Sequence, residues 1–483
     1  MTTSSISTTI TDRGLGLAGG TARPICVVGC SSSGTAATPT EVVNSQALTD
    51  TFGHGPAVEA AAKIMSITGA PLIFCRTADG TGGSAGSVTR AGTGADADAW
   101  AMTVGGTPND GYSVKVKVTR YGATLAGLTA CVRISLDGGT TYQPEVPVPS
   151  NGAITITGTG LTITFDDDTG ADEAFVDDVY AFTCTAPVWS TTTLGNALTA
   201  LEAVNAPEHD GVLIVGNVTG ATISTVKTSH DNLIAASRSR WFLCNARDQN
   251  SGESVATWVS VLVGASPGFN AHTANLMAIS AAWCDIDSAA IGGVWRRPVS
   301  WLLAARFAKT PYAQHPGRAR TGPLEGVREG SLHHDFSDAT VALLDTRRFI
   351  GAQTVQGLSG YYATDRSCAA DGSDFMQVMN ARVICYAGRR AMAKMAEEVN
   401  EDLSTNADGT ITSAEADALD NAITSFLVRE LVATRYASDA AGTVNRTDNI
   451  IDTPTLRFQI RIRPRGYAKN ITLNLGYALK VRS

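Results

Sequence analysis

Two hydrophobic patterns alternate along this chain, and the place where one interrupts the other constrains the fold. Residues 24–29 (PICVVG) and 71–75 (PLIFC) are short apolar runs typical of buried strands. Residues 55–67 between them carry apolar side chains at helical spacing. Strand, helix and strand in this order predict a βαβ unit in an α/β core.

From residue 78 to residue 187 the pattern changes to alternating apolar and polar residues, separated by the turn signals NDG and DGG. This alternation predicts an all-β, sandwich-like module. Residues 78–190 hold 13 Asp and Glu against 5 Lys and Arg, whereas the rest of the chain is balanced. We therefore interpret residues 78–187 as a decoration domain inserted into a discontinuous core of residues 23–77 and 188–370.

The α/β pattern resumes after the insertion. Residues 193–204 and 222–237 predict helices, followed by the buried strands GVLIVGNV and RWFLCNA. Residues 251–262 and 271–283 continue the alternation. Residues 310–370 are rich in Gly, Arg and His and predict an irregular segment.

Both ends of the sequence differ from the core. Residues 1–22 are rich in Ser, Thr and Gly and predict an extended arm. Residues 375–403 and 412–436 predict two long helices, and residues 455–463 and 469–482 predict two closing strands. Together these helices and strands predict an α+β assembly domain.

We assign this assembly domain to residues 371–483. Its last two predicted strands have one apolar face each, and the final strand presents an open edge. Because an open edge is an aggregation hazard unless another chain pairs with it, the pattern predicts a contact with another chain. The expected interface residues are Leu456, Phe458, Ile460, Ile462, Ile471, Leu473, Leu475, Tyr477 and Leu479.

Composition excludes several classes of protein. The net charge of −8 argues against a general nucleic-acid binder. No run of about 18 apolar residues is present, so no membrane anchor is expected. The polar first residues also predict no secretory signal. The nine cysteines are scattered and odd in number, which favours buried, reduced thiols.

The sequence contains two weak matches to phosphate-binding, catalytic or metal-binding motifs. Gly29–Thr35 has the outline of a phosphate-binding loop but lacks its Lys, so an ordinary strand-to-loop turn is favoured. Ser331–Asp335 contains His333 and His334, whose spacing fits no common metal site, and a polar surface loop is favoured. No G-x-S-x-G turn is present. We expect no catalytic residue, no cofactor and no metal, and an α/β hydrolase remains the less favoured alternative.

The segment Ser404–Glu415 (STNADGTITSAE) matches part of an EF-hand calcium loop, with Asp408, Gly409 and Glu415 at positions 5, 6 and 12. Ser404 stands at position 1, where a charged ligand belongs. Asp-Gly is also a common turn pair, and a Ser can cap the helix that follows. A helical hairpin with a polar turn is therefore favoured over a calcium-binding adhesion module.

Both ends of the chain carry distinctive motifs. Near the start, a strand leads through a small-residue loop to the turn FGHGP and an Ala-rich helix. Near the end, two helices precede TLRFQIRIRPRGYAKNITLNLGYAL. The most specific piece is P-x-G-Y-A-K-x-I, which here consists of Pro464, Gly466, Tyr467, Ala468, Lys469 and Ile471.

These motifs resemble those of the contractile tail sheath protein family of bacteriophages. The resemblance implies a subtilisin-like sheath core without enzymatic activity. It implies strand exchange as well, in which terminal arms add strands to the sheets of neighbouring subunits. It also implies a homo-oligomer, a helical stack of hexameric rings around a tail tube protein, with baseplate and tail terminator proteins as partners. Such a sheath, assembled in the host cytoplasm and carried on the virion, contracts to drive the tube through the host envelope for genome ejection. A tailocin or another contractile injection or secretion system is the alternative. No direct contact with nucleic acid is expected.

Overall fold

The computed structural model describes most of the chain, which divides into two compact units. One unit comprises Met1–Thr310 and Pro316–Ala381, and the other comprises Pro311–His315 and Arg382–Ser483. The described residues are 24–92, 99–167, 172–203, 205–264, 269, 273–328, 330, 332, 337–399, 401–453 and 455–469.

The first unit begins with the predicted strand–helix–strand pattern. Its elements are β1 (Ile25–Cys30), β2 (Thr40–Val42), α1 (Ser45–Phe52), α2 (Pro56–Thr68) and β3 (Leu72–Thr77). Strands β1 and β3 are parallel, and every residue of β1 is buried, as the apolar run predicts. The pattern does not predict β2 or α1, although Asn44 is a recognisable N-cap that accepts a hydrogen bond from the N–H of Ala47.

The described part of the inserted segment, residues 78–187, contains strands and a single 3-10 turn, Leu125–Gly127, in agreement with its alternation. Its strands are β4 (Ser84–Ala85), β5 (Thr89–Ala91), β6 (Ala101–Gly106), β7 (Ser113–Arg120), β8 (Cys131–Ser135), β9 (Val146–Pro147), β10 (Ala153–Ile156), β11 (Leu161–Asp166) and β12 (Val179–Thr185). They form one sheet in the order β10-β11-β6 and another in the order β4-β12-β7-β8-β9, with β5 paired to β12. Both sheets contribute to one hydrophobic core. An antiparallel bridge between Thr81 and Val188 brings the two ends of the segment together.

Further helices and strands complete the first unit. They are α3 (Thr191–Leu201), β13 (Gly211–Asn217), α4 (Gly220–Ala235), β14 (Trp241–Asn245), α5 (Val255–Val263), β15 (Met277–Ser280), β16 (Trp283–Asp287), β17 (Val294–Pro298), α6 (Ser300–Lys309), α7 (Asp338–Thr346), β18 (Phe349–Ile350), β19 (Ala352–Gln353) and β20 (Tyr362–Ala363). Seven strands form one sheet in the order β18-β15-β14-β13-β1-β3-β2, whereas β16 and β17 form a separate antiparallel hairpin, as do β19 and β20. Strand β2 alone runs antiparallel to its neighbour in the seven-stranded sheet. The strand order reverses between β1 and β13.

The prediction that residues 310–370 are irregular is wrong for α7 and for the short strands that follow it. Ser337 caps α7 by accepting a hydrogen bond from the N–H of Thr340, while Val341 and Leu344 are buried. A helix of only nine residues depends on this tertiary burial more than on its own propensity, so the sequence pattern is weak.

Arg297 joins the inserted strands to the rest of the first unit. Its Nη2 lies 2.6 Å from Oε2 of Glu59 on α2 and 2.9 Å from Oδ2 of Asp110, which precedes β7. The guanidinium also lies over the rings of Trp295 and Trp301, at 5.2 and 5.5 Å from their centroids. Burial, together with the neighbouring Glu59, raises the pKa of Asp110 to about 7.

The second unit contains residues 382–395 of α8 (Val378–Met395), and also α9 (Ser413–Leu427), β21 (Asp439–Val444) and β22 (Phe458–Arg463). The two helices are shorter than predicted. A 3-10 turn, Ala396–Glu398, follows α8, and a π-helical turn, Val428–Val432, follows α9. The sequence pattern does not predict β21, because DAAGTV lacks large apolar residues.

The mixed α/β fold with several sheets agrees with the predicted fold class. All nine cysteines are buried and none forms a disulfide, as their positions predict. Burial raises the pKa of Cys30 and Cys75 to about 12, which keeps both thiols protonated. None of the helices in the described part of the chain has the length and apolar character needed to cross a membrane.

Candidate subunit interface

Strands β21 and β22 form an antiparallel pair that packs on the helices of the second unit. Ala440, Gly442 and Val444 lie opposite Ile462, Ile460 and Phe458, so these six residues share one face. That face packs against a cluster that includes Ile423 and Leu427 of α9. The apolar side chains predicted for an interface are therefore partly buried within their own unit.

Gly442 allows the close approach of β21 to α9. A Cβ atom at this position would lie 2.7 Å from Cγ2 of Ile423, a distance that real Cβ atoms essentially never show. The same contact brings the polar side chains of α9 to the outer edge of β21. A strand with a larger residue here would be displaced from the helix.

Helix α9 covers that outer edge of β21. The N–H of Gly442 donates to Oγ1 of Thr424 at 3.1 Å, and the same hydroxyl donates to the carbonyl of Gly442 at 3.2 Å. The N–H of Val444 donates to Oδ1 of Asp420 at 2.6 Å, and that of Ala440 to Oδ1 of Asp439 at 3.0 Å. All three N–H groups that point away from β22 are therefore satisfied by side chains.

The outer edge of β22 is different. The N–H of Asn445 donates to the carbonyl of Arg457, so the odd-numbered residues of β22 face β21. The backbone groups of Phe458, Ile460 and Ile462 consequently face the opposite edge. Among the described residues, β22 pairs with β21 alone. The residues predicted from the apolar pattern thus expose their backbone, rather than their side chains, at this edge.

The solvent-facing side of β22 is basic. Arg461 and Arg463 of this strand, and Arg457 just before it, alternate with half-buried residues and are exposed. Arg457 lies 3.6 Å from Asp448, and Arg463 lies 3.5 Å from Asp439. These pairs are weak because water and salt screen exposed charges. The strand therefore keeps a positive surface beside its open edge.

Tyr467 fixes the segment that follows β22. Its hydroxyl donates to the carbonyl of Ala313, and its ring lies edge-on to His315 with 5.8 Å between centroids. The Ala313 segment is held in turn by Tyr312, whose ring stacks on that of Tyr386 at 4.4 Å. Residues 464–469 are therefore fastened to the second unit. The remaining predicted interface residues, Ile471, Leu473, Leu475, Tyr477 and Leu479, lie outside the described residues.

Glu430 ties α8 to the π-helical turn after α9. It accepts hydrogen bonds from Nε of Arg390 at 3.0 Å and from the hydroxyl of Tyr386 at 3.1 Å. Although partial burial acts in the opposite direction, these hydrogen bonds lower the pKa of Glu430. Burial and the same carboxylate raise the pKa of Tyr386 to about 12. At neutral pH this contact therefore joins an ionised Glu430 to a Tyr386 hydroxyl that keeps its proton.

The EF-hand-like segment is the polar turn of a helical hairpin. Oδ1 of Asp408 accepts hydrogen bonds from the N–H and hydroxyl of Thr410, at 3.0 and 2.7 Å. The amide of Asn449 donates to the carbonyl of Asp408 at 3.1 Å, which packs the turn against the loop before β22. The expected capping residue is wrong by one position: Thr412 caps α9, and Ser413 is its first helical residue.

Two other sequence candidates do not form a site. The loop after Gly29 uses its amides within the protein, because Ser32 and Ser33 donate to the carbonyls of His54 and Phe52 at 2.8 and 3.1 Å. These groups are not free to hold a phosphate. Ser331 and His333–Asp335 lie outside the described residues. In the described part of the chain, no group of three or more His, Cys, Asp or Glu is placed to hold a metal ion.

Sequence reasoning did not identify the residues that make the two edges unequal. Thr424 and Asp420 stand on the polar face of a predicted helix, where either would ordinarily be exposed. Their role depends on β21, which the pattern does not predict. The alternation of small residues in DAAGTV, between a helix and a strong strand, is the one signal that could have indicated it.

Comparisons with known proteins agree with this architecture. Residues 3–367 match the N-terminal domain of the DUF2586 family. No curated protein matches the sequence. Among solved structures, the helical sheath of the anti-feeding prophage in its contracted state is 12% identical, with 98% of this chain and 99% of that chain covered and a TM-score of 0.52.

A chain of the contracted baseplate of the same particle is also 12% identical, with 99% of this chain and 98% of that chain covered and a TM-score of 0.50. A sheath tail protein from Listeria innocua is 10% identical over 92% of this chain and 96% of that one, with a TM-score of 0.48. At the level of the fold, the matches to the anti-feeding prophage confirm the resemblance inferred from the sequence motifs.

Proposed function

Because the chain belongs to the DUF2586 family and has the fold of a contractile-sheath subunit, we propose that it polymerises into a helical, contractile tail sheath around a tail tube. The baseplate and a terminator protein would bound the sheath at its two ends. Contraction would drive the tube through a host envelope, for genome ejection in a bacteriophage. A tailocin or another contractile injection system would use the same assembly for a different cargo.

The observation that carries this proposal is the difference between the two edges of the β21–β22 sheet. Side chains of Thr424, Asp420 and Asp439 satisfy the outer edge of β21, whereas the outer edge of β22 has no strand partner among the described residues. A sheet that protects one edge and leaves the other open is suited to receive a strand from another chain.

Residues 470–483 are the proposed donor of that strand. They continue directly from the segment that Tyr467 fastens to the second unit, and they alternate apolar and polar side chains. Donor and acceptor surfaces differ, so the contact is heterologous and can build an open helix of subunits. The strand would keep neighbours linked while the subunits change their packing during contraction.

The proposed energy source for contraction is the difference in free energy between two packings of the same subunits. An extended sheath would be metastable, and a signal from the baseplate would release it. The amides of the Gly29 loop are engaged within the protein, which supports a mechanism without nucleotide hydrolysis. The positive face of β22 supports an electrostatic match with an acidic patch on the adjacent subunit.

Truncation from Lys469 tests the proposal. The truncated protein is expected to keep its fold, as measured by circular dichroism, because the described sheet and helices remain. It is expected to stay monomeric in sedimentation, because each subunit lacks the strand that its neighbour accepts. Tubes of normal length from the truncated protein would overturn strand donation.

Point variants distinguish the effect of the strand's apolar face from the effect of shortening the chain. Replacing Leu473 and Leu475 by Asp is expected to prevent tube formation, because the acceptor sheet would bury unpaired charge. Lys480 lies on the opposite face of the predicted strand, so Lys480→Ala serves as the matched control and is expected to form tubes. Loss of the monomer fold in the Asp variants would show that residues 470–483 complete their own subunit instead.

A further inference from the structure

A cavity of about 220 Å³ lies in the first unit, at the carboxyl ends of β1, β13 and β14. Cys30, Asn217 and Asn245 are the last residues of these strands, and all three line the cavity. The cavity sits at the point where the strand order reverses, between β1 and β13. Open α/β sheets commonly bind small ligands in the crevice at this position.

Aromatic and proline rings form much of the wall. Trp189, Trp283 and Trp301 line the cavity together with three prolines, Pro56, Pro187 and Pro298. The indole N–H of Trp189 donates to the carbonyl of Val215 at 2.8 Å, and that of Trp283 donates to the carbonyl of Ala246 at 3.0 Å. These bonds hold two ring planes in fixed orientations. A wall of fixed flat surfaces favours a planar ligand.

Three side chains in the wall carry buried polar atoms without a hydrogen-bond partner in the described structure. They are Oδ1 of Asn245, Nε1 of Trp301 and Nε of Arg297. The amide nitrogen of Asn245 is already bonded to Asn217 at 2.8 Å. Buried polar groups are rarely left unpaired, because each costs desolvation without compensation. A ligand with both a donor and an acceptor matches this set.

The charges around the cavity favour a neutral ligand. Arg297 is the cation in its wall, and this guanidinium already contacts the carboxylates of Glu59 and Asp110. An anion would compete with both of these carboxylates, and a cation would lie beside the guanidinium. Neither an anion nor a cation is favoured beside this buried ion cluster.

From this geometry we infer that the cavity binds a neutral, planar heteroaromatic group of one or two fused rings. Its volume exceeds that of an engineered protein cavity of about 150 Å³ that binds benzene. It is smaller than the roughly 300–1,000 Å³ of pockets that hold drug-sized ligands. The aromatic group can belong to a free molecule or to a side chain of a neighbouring protein.

Benzimidazole, which is planar and neutral and has one donor and one acceptor, is the probe for this inference. Titration of the full, unassembled chain is expected to give saturable one-to-one binding by calorimetry. In the NMR spectrum, the indole N–H signal of Trp301 should shift with the same dissociation constant. Trp100, whose indole donates to the carbonyl of Asp172 in the inserted segment, is the internal control and should not shift.

Val188 offers a matched pair of variants. It lines the cavity while 54% of its surface is exposed, so it lies at the mouth. Its backbone bridge to Thr81 does not depend on the side chain. Val188→Trp is expected to weaken benzimidazole binding at least ten-fold by closing the mouth, whereas Val188→Ala should retain it.

Absence of saturable binding to the wild-type chain, or equal affinity in Val188→Trp, would overturn the inference. Both measurements use unassembled protein, so they stand or fall independently of the proposed sheath function. A further assay distinguishes the two sources of the ring. Saturating benzimidazole would inhibit tube formation if a neighbour's side chain fills the cavity, and would leave it unchanged if the ligand is a free molecule.

Discussion

Nη2 of Arg297 and Oδ2 of Asp110 lie 2.9 Å apart, and this contact connects the β16–β17 hairpin with the inserted strands. Oε2 of Glu59, on α2, lies 2.6 Å from the same nitrogen. One guanidinium therefore contacts two buried carboxyl groups, and the negative charge of Glu59 disfavours ionisation of Asp110. The attachment of the insertion consequently depends on protonation.

We expect the chain to be less stable at about pH 8 than at about pH 5, because of Asp110. Its folded-state pKa of about 7 lies above its unfolded value, so the folded state binds the extra proton between about pH 4 and pH 7. Stability falls as pH rises through this window, by at most about 1.4 kcal/mol per pH unit from this group. Chemical denaturation of wild type and Asp110→Asn at both pH values measures it.

The Asn variant should lose this part of the pH dependence, because its side chain stays neutral. Glu59→Gln provides the complementary control, since removing the second carboxylate lowers the pKa of Asp110 and narrows the window. Identical pH profiles for wild type and Asp110→Asn would contradict the assignment.

The substitution Ile460→Pro should prevent assembly without separating β22 from β21. The N–H of Ile460 faces the open edge, so its loss removes a donor that only an incoming strand would use. Ile460→Ala loses the same apolar side chain but keeps the N–H, and both variants should be destabilised by about 1–3 kcal/mol. Sedimentation should show tubes for Ile460→Ala alone. Tubes from both variants would contradict an edge-mediated contact.

Gly409→Ala should destabilise the second unit by more than the cost of its backbone conformation. Gly409 has φ +79°, and a Cβ atom there would lie 2.3 Å from Oδ1 of Asn449. Gly252 has φ +76° with open space around it, so Gly252→Ala reports the backbone cost of roughly 1–2 kcal/mol by itself. Thermal unfolding should show the larger loss for Gly409→Ala, and calcium should not restore it. Equal losses would mean that the Asn449 contact is unimportant.

We predict that the inserted strands are dispensable for polymerisation. A short Gly/Ser linker can replace residues 82–187, because the Thr81–Val188 bridge already brings the ends together. The deletion uncovers the ring of Trp295, which packs edge-on against Tyr112 at 5.4 Å, so Trp295→Ser should accompany it. Electron microscopy is expected to show tubes. A folded deletion variant that fails to polymerise would make the insertion part of the lattice.

The sequence predicts strands in which every residue is buried. It does not predict strands of small residues that form only through contacts with neighbouring elements. The run ICVVGC has no plausible state except a central strand, and the structure confirms it as β1. By contrast, β21 is a strand because Gly442 fits against Ile423 and because Thr424 and Asp420 satisfy its edge. These contacts arise only once the helix is in place, so periodicity cannot reveal them.

The same limit applies to the candidate interface. The apolar alternation of Phe458, Ile460 and Ile462 predicts an interface, whereas the structure packs these side chains partly against their own unit. Alternation with a period of two shows which side chains share the apolar face of a strand. It does not show whether that face is buried by the same subunit or by a neighbour. Likewise, no pattern brings Glu59, Asp110 and Arg297 together, because they lie on three segments distant in sequence.

In the proposed sheath, the side chains that cover the β21 edge would set how many neighbours a subunit can accept. With Thr424, Asp420 and Asp439 satisfying that edge, the sheet would offer one acceptor for one donated strand, and such a bifunctional unit grows only into linear chains. Loss of all three of these hydrogen-bond acceptors would free a second edge and convert the subunit into a branching point. Three polar side chains would thus separate an ordered filament from a branched network.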